Sequence, residues 1–334
     1  MNLVRAEVER LAARRFVQLM VVLLALAFVI TTATTLVGSH KPSPSEVAAA
    51  EAALSQRISS LEAEHARCLK IKAGELPIEE DSYVPADCSE VDPALQEQLP
   101  VLADYLSTVF VFGKEARPLL YFLIAFLLLF GFLVGASYIG ADLNSGGVVN
   151  LLLWRPRRLT VLGAKLGTLL GAVALVSALA TVVYLGTFWM IGQTAGLPGT
   201  LDGRFWSDLG DLYGRGMVLV LLATALGFAI ATLGRHTSAA LGAVAAYLVV
   251  WELGALLVLQ ILDVARPDQL MLSSYVTAWL TGQAQFWGEQ ACGGDGSCGG
   301  LYTITSGPAL AVLLGVTGLV TAAAFTVFRR RDLI

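Results

Sequence analysis

Charge is what this chain has least of. Aspartate, glutamate, lysine and arginine make up 14% of its 334 residues, against about 25% in soluble domains. That deficit points to lipid as the main solvent. Histidine is also scarce, with only His40, His65 and His236, which argues against a histidine-rich metal centre. No basic stripe with interleaved aromatics is present, so nucleic acid is not an expected partner. The phosphate-loop pattern G-x-x-x-x-G-K-[ST] is missing, so the chain does not cradle nucleotide phosphates in the usual way. No apolar run contains a histidine or a pair of carboxylates. The expectation is therefore a chain with no catalytic residues, no metal and no cofactor of its own.

What is present is apolar sequence in long runs. Six segments, residues 16–37, 118–139, 166–190, 217–233, 239–262 and 309–328, are long enough to cross a hydrocarbon core of about 30 Å as helices. Helices are expected because backbone groups in lipid must pair internally. The first run follows the basic start MNLVRAEVERLAARR. It is longer than the apolar region of a signal peptide and reads as a membrane anchor. The fold class expected is an all-α integral membrane protein.

Lysine and arginine near span ends give the orientation. Arg5, Arg10, Arg14 and Arg15, then Arg155, Arg157, Arg158 and Lys165, then Arg235, then Arg329, Arg330 and Arg331 all fall on one side of a six-span chain. Both termini, residues 1–15 and 329–334, are thereby expected in the cytoplasm of a plasma or inner membrane, with inner connections at 140–165 and 234–238. Outside lie residues 38–117, 191–216 and 263–308. The four cysteines fall in two of these outer loops, Cys68 and Cys88 in the first and Cys292 and Cys298 in the last. An even number on the oxidising face reads as two disulfides within loops; the alternative is four free thiols.

The first outer loop has helical patterning. After KPSPS, Val47, Ala50, Leu54, Ile58, Leu61, His65 and Cys68 recur in steps of three and four. A second helical stretch is expected after Pro93, through Leu95, Leu99, Leu102, Leu106 and Val109. In the last outer loop the stretch from Leu270 to Leu280 is too short to span and reads as a re-entrant or interfacial helix. At the N-terminus, Val4, Val8 and Leu11 mark the apolar face of a cationic amphipathic helix at the inner surface. Small residues four apart, Gly131 and Gly135, then Gly163, Gly167 and Gly171, allow close helix packing. Glu252, in VVWELGALL, is the one clear carboxylate inside a span. Such a residue is either functional or a protonated group bonded to a neighbouring helix. Trp251, Trp189 and Tyr184 are candidate lining residues of a substrate path, or ordinary packing.

The inner connection IGADLNSGGVVNLLLWRPRRLTVLGAKLG is the most distinctive stretch. An acidic residue ends a span, two glycines lead into the short apolar run Val148 to Trp154, and Arg155-Pro156 breaks it. A basic cluster follows that suits phosphates or acidic partners. The stretch resembles the coupling-helix region of ABC-2 type permeases, the membrane subunits of one class of ABC exporters. Asp142, Gly147, Leu151, Leu152, Leu153, Pro156, Arg158 and Lys165 match that pattern in order, with Trp154 and Arg155 inside it. Asp142 stands where glutamate is usual, and Val148 where threonine is usual. The six-span plan, the amphipathic start and the ending FRRRDLI fit the same family.

The resemblance implies an ATP-driven transporter in which ATP and magnesium are bound by a separate ATPase subunit. Two ATPase copies and a second permease subunit, identical or not, would complete the unit. Within the coupling segment 140–165, the short helix Val148–Trp154 would seat in a cleft of the ATPase, and the cargo would be hydrophobic or amphipathic. Two other classes compete. An ion-coupled transporter or channel would use Glu252. An intramembrane hydrolase would need a nucleophile and base that the spans do not supply.

Overall fold

The structure, a computed structural model, describes residues 3–77, 87–94, 100–145, 158–262, 264–288 and 300–330. The helices are α1 (Leu3–Ala12), α2 (Arg15–Gly38), α3 (Pro44–Lys72), α4 (Phe112–Asn144), α5 (Arg158–Thr194) and α6 (Gly203–Gly234). They continue with α7 (Thr237–Ala246), a π-helical segment (Tyr247–Ala255), α8 (Leu256–Ile261), α9 (Leu272–Thr281) and α10 (Ser306–Arg330). A hairpin of β1 (Gln283–Gly288) and β2 (Gly300–Thr305) lies between α9 and α10. Among the described residues, six helical stretches are long and apolar enough to cross a membrane: α2, α4, α5, α6, Thr237–Leu259 and α10. The described residues are mainly helical, and the chain is a multi-pass membrane protein.

Two compact units divide the chain. The first comprises residues 1–29, 117–185 and 202–334, and the second 30–116 with 186–201. In the first, glycines bring α4 and α6 into backbone contact. A Cβ on Gly131 would lie 2.4 Å from the Thr224 hydroxyl, and one on Gly135 would lie 2.4 Å from the Thr224 carbonyl. Only glycine permits such an approach. The other repeat differs: Gly167 and Gly171 meet nothing within 4 Å.

Helix α6 begins well before its apolar run. Asp202 caps it by accepting from the Phe205 amide at 2.7 Å. Its polar first turns pair with α4 through Arg117 and Asp208, 3.2 Å apart. The apolar run starts only at residue 217, because hydropathy reports lipid contact and not helix length. The same holds for α4, which starts at Phe112 with Pro118 inside the helix.

Between the fifth span and α10 the chain forms α9, whose ten residues are too few to cross, and then the hairpin. Ala284, Phe286, Tyr302 and Ile304 turn one hairpin face onto Tyr275, Ala278 and Trp279. The hairpin departs from an all-helical outer loop. Its strands alternate Gln-Ala-Gln-Phe-Trp and Leu-Tyr-Thr-Ile-Thr, a period-two pattern that fits a half-buried strand.

In the second unit, α3 starts with a capping box. The Ser43 hydroxyl accepts from the Glu46 amide, the Glu46 carboxylate accepts from the Ser43 amide, and Pro44 takes the first turn. The stripe Val47 to Cys68 is the more buried face, with Ala50, Leu61 and Cys68 deepest. Cys68 and Cys88 form a disulfide; Cys292 and Cys298 lie outside the described residues. The helix expected after Pro93 is not continuous. Residues 95–99 are outside the described set, Leu102–Asp104 is a single 3₁₀ turn, and Thr108 adopts a left-handed φ of 60°. The Asp104 carboxylate closes that turn on the Val101 amide at 3.0 Å. Phe110 and Phe112 then exchange backbone bonds with Leu197 at 2.9 and 3.0 Å. Pairing with a distant strand-like segment outweighs the local helical period there.

Candidate functional site

Four charges and a phenol from distant parts of the chain meet where α1, α4 and α5 come together. Lys165 Nζ lies 2.8 Å from the Glu7 carboxylate and 2.7 Å from the Asp142 carboxylate. Arg14 donates to Asp142 and, at 2.8 and 3.2 Å, to the carbonyls of Tyr138 and Ser137. The Tyr138 hydroxyl donates to Glu7. Both cations stand over the Tyr138 ring, 4.9 Å from its centroid. Glu7, Tyr138 and Lys165 are 1%, 1% and 2% exposed, so this is an interior network.

Local structure explains the assembly. Asp142 sits in the last turn of α4, where the helix dipole disfavours a carboxylate; Lys165 and Arg14 compensate it. Arg14 falls between α1 and α2, so its guanidinium reaches the carbonyls near the end of α4. Two cations match two carboxylates, so the net charge taken from water is zero, and each ionised group has a charge-assisted partner. Arg10, half-exposed, adds a 3.4 Å contact to Glu7 at the rim.

Of the expected coupling residues, Asp142 and Lys165 are thus brought together inside the protein, and Arg158 opens α5. Gly147, Leu151, Leu152, Leu153, Trp154, Arg155 and Pro156 lie outside the described residues. Sequence reasoning missed Glu7 and Tyr138, and it took Arg14 only as an orientation signal. On α1 the expected apolar face and the packed face share Leu11. Val8 is 44% exposed, while Glu7 and Leu11 are buried. The inward face runs through Glu7, Leu11 and Arg14, a spacing of four and three that was present but masked by charge.

Glu252 has a different setting. Its carboxylate accepts from the Tyr247 hydroxyl at 2.7 Å, the Ser273 amide at 3.1 Å and the Ser273 hydroxyl at 2.7 Å. The Leu272 amide donates to the Tyr247 hydroxyl at 3.1 Å, and the Trp251 indole to the Leu270 carbonyl at 3.0 Å. Met271, at the N-cap of α9, supplies no side-chain bond. The fifth span therefore caps α9 from outside. The π segment makes this possible. Residues five apart lie about 140° apart around an α-helix, whereas the wide turn brings Tyr247 and Glu252 to one side.

Tyr184 belongs to a separate feature, a cleft between α2, α4 and α5, where its ring lies 5.6 Å from that of Phe28. Trp189, in the second unit, is 42% exposed. No group of histidine, cysteine, aspartate or glutamate suited to a metal occurs among the described residues. Among the described residues the geometry offers an electrostatic clamp, a cap and an apolar cleft.

Residues 108–334, about two thirds of the chain, match the model of a family described as protein of unknown function, DUF2705. The chain belongs to the DUF2705 family. No curated protein and no solved structure matches it. The DUF2705 region takes in Tyr138, Asp142, Lys165 and Glu252, whereas Glu7 and Arg14 precede it.

Proposed function

We propose that this chain is the membrane-spanning subunit of an ATP-driven transporter, an exporter of ABC-2 type whose ATPase is a separate subunit and whose cargo is an amphiphile. One observation carries the reading most. The Glu7–Lys165–Asp142–Arg14 network locks α1 to the ends of the two spans that flank residues 146–157. A connection meant to receive force from a partner needs rigid roots. A buried, charge-balanced clamp supplies them, because moving one helix end means separating ions in a low-dielectric interior.

In this reading the clamp faces the cytoplasm, as the distribution of arginine and lysine favours. The segment with Leu152, Arg155 and Arg158 meets the ATPase. Nucleotide-driven closure then moves α4 and α5 together with α1. The bonding of Glu252 to α9 supports this reading over ion coupling, since its oxygens already serve as acceptors for a helix end.

The test is purification of the tagged full chain in mild detergent. An ATP-binding subunit is expected to co-purify, and charge reversal at both Arg155 and Arg158 is expected to separate ATP hydrolysis from transport. Purification of the chain with no ATP-binding partner, from cells that express its genomic neighbours, would overturn the proposal.

A further inference from the structure

The three spans α2, α4 and α5 leave a cleft of about 290 Å³ between them. Its floor is Leu123 and Tyr184, 4% and 2% exposed; its rim is Val21, Phe122, Leu179 and Val183. Apart from the Tyr184 hydroxyl, every lining side chain is hydrocarbon. A space with such walls does not hold water, since a water molecule needs two or more polar partners. It takes an apolar guest.

We infer that the cleft is a binding site for one acyl chain of a bilayer phospholipid. Three observations choose this occupant. The rim residues are themselves open, from 41% exposure at Val21 to 58% at Leu179, so the mouth faces outward between spans. The surface it joins is apolar and exposed on a helix long enough to span: α2 has no buried residue, and Leu19, Val22, Leu23 and Leu26 are all exposed on it. The walls carry no charge to receive a headgroup, so what enters is a tail whose headgroup stays at the membrane surface. The aromatic pairs Phe28–Tyr184 and Phe122–Phe126, with centroids 5.6 and 4.7 Å apart, give the slot rigid faces. A held tail would also explain how α2, which buries none of its own residues, stays seated against α4 and α5.

The inference needs no ATPase partner, so it stands or falls apart from the transport proposal. The experiment reconstitutes the full chain in nanodiscs of phosphatidylcholine containing a fraction with a diazirine near the acyl-chain end. After illumination, adducts are mapped by mass spectrometry. Adducts are expected on peptides containing Leu123 and Tyr184, at least fivefold above those on the open face at Leu319 of α10. Ala180→Phe, which fills the slot from α5, is expected to cut the cleft adducts at least tenfold and leave those at Leu319 unchanged. Ala25→Phe, which fills it from α2, gives the same reading if the first variant does not fold. Floor peptides that stay unlabelled, or labelling equal to that at Leu319, would each overturn the inference.

Discussion

The Lys165 ammonium lies 2.8 Å from the Glu7 carboxylate although 158 residues separate them. Neither group reaches water, and each is held by further polar partners. Removing one member leaves another buried and unbalanced, which typically costs about 3–5 kcal/mol. Lys165→Met is expected to be the worse single change because Lys165 serves two carboxylates. Glu7→Gln should cost less, since an amide oxygen still accepts from Tyr138. The pair of changes together should cost less than their sum. Thermal unfolding of the four proteins in one detergent checks this, and strictly additive losses would show that the two groups do not interact.

The six spans were legible because lipid imposes one requirement, a long apolar run, and the described residues meet it six times. The α3 stripe was legible because its buried face follows the three-and-four period of its apolar residues. The clamp was half legible. Asp142 and Lys165 were marked by resemblance to a known segment, but their partner Glu7 sits in a helix whose readable signal is its apolar residues and not its glutamates. Hydropathy counts a glutamate as surface; it cannot see that a lysine more than a hundred residues away will neutralise it. The Glu252 site was legible as an oddity only. Its meaning depends on a π turn and on where α9 begins, and neither follows from composition. The hairpin was hidden by its Gly-rich loop, which drew attention from the alternating flanks.

Glu252 acts on α9 through acceptor oxygens, so the shape of its side chain should matter more than its charge. Glu252→Gln retains an oxygen for the Tyr247 hydroxyl and the Ser273 amide. Glu252→Leu retains none and is expected to cost about 1 kcal/mol, the usual loss of a helix cap. Hydrogen exchange at the amides of Leu272 and Ser273 reads this locally. Faster exchange in the leucine variant with near-native rates in the glutamine variant is expected. Equal acceleration in both would show that the charge itself is the essential feature.

The capping box of α3 makes its N-terminus sensitive to acid. Bonds from the Ser43 backbone and hydroxyl, then from His40, hold the Glu46 carboxyl at about 2 against an ordinary 4.5. A carboxyl with a lowered folded value favours folding when ionised. Its contribution is complete above pH 4.5 and fades as the pH falls towards 2. Amide exchange in the first turn of α3, corrected for its intrinsic pH dependence, should lose protection across that window in the native chain. In Glu46→Gln the first turn should be less protected at neutral pH and show no such step. A native profile that is flat from pH 5 to 2 would remove Glu46 from the cap.

Close approach of α4 and α6 rests on the missing side chain at Gly135. A Cβ there would lie 2.4 Å from the Thr224 carbonyl oxygen and 3.3 Å from the Phe228 amide nitrogen. Both are backbone atoms, so no rotamer change relieves the clash; the helices must separate or shift. Overpacking of this kind costs about 1–3 kcal/mol. Gly171 is the control, a glycine in a spanning helix with nothing within 4 Å of its would-be Cβ. Gly135→Ala should lower the unfolding temperature, while Gly171→Ala should leave it level or raise it, because alanine is the better helix former. The comparison separates helix propensity, which both changes improve, from contact, which only the first disrupts. If Gly171→Ala proved the more damaging change, the small-residue face of α5 would have to be packed and the α4–α6 crossing loose, the reverse of the arrangement described.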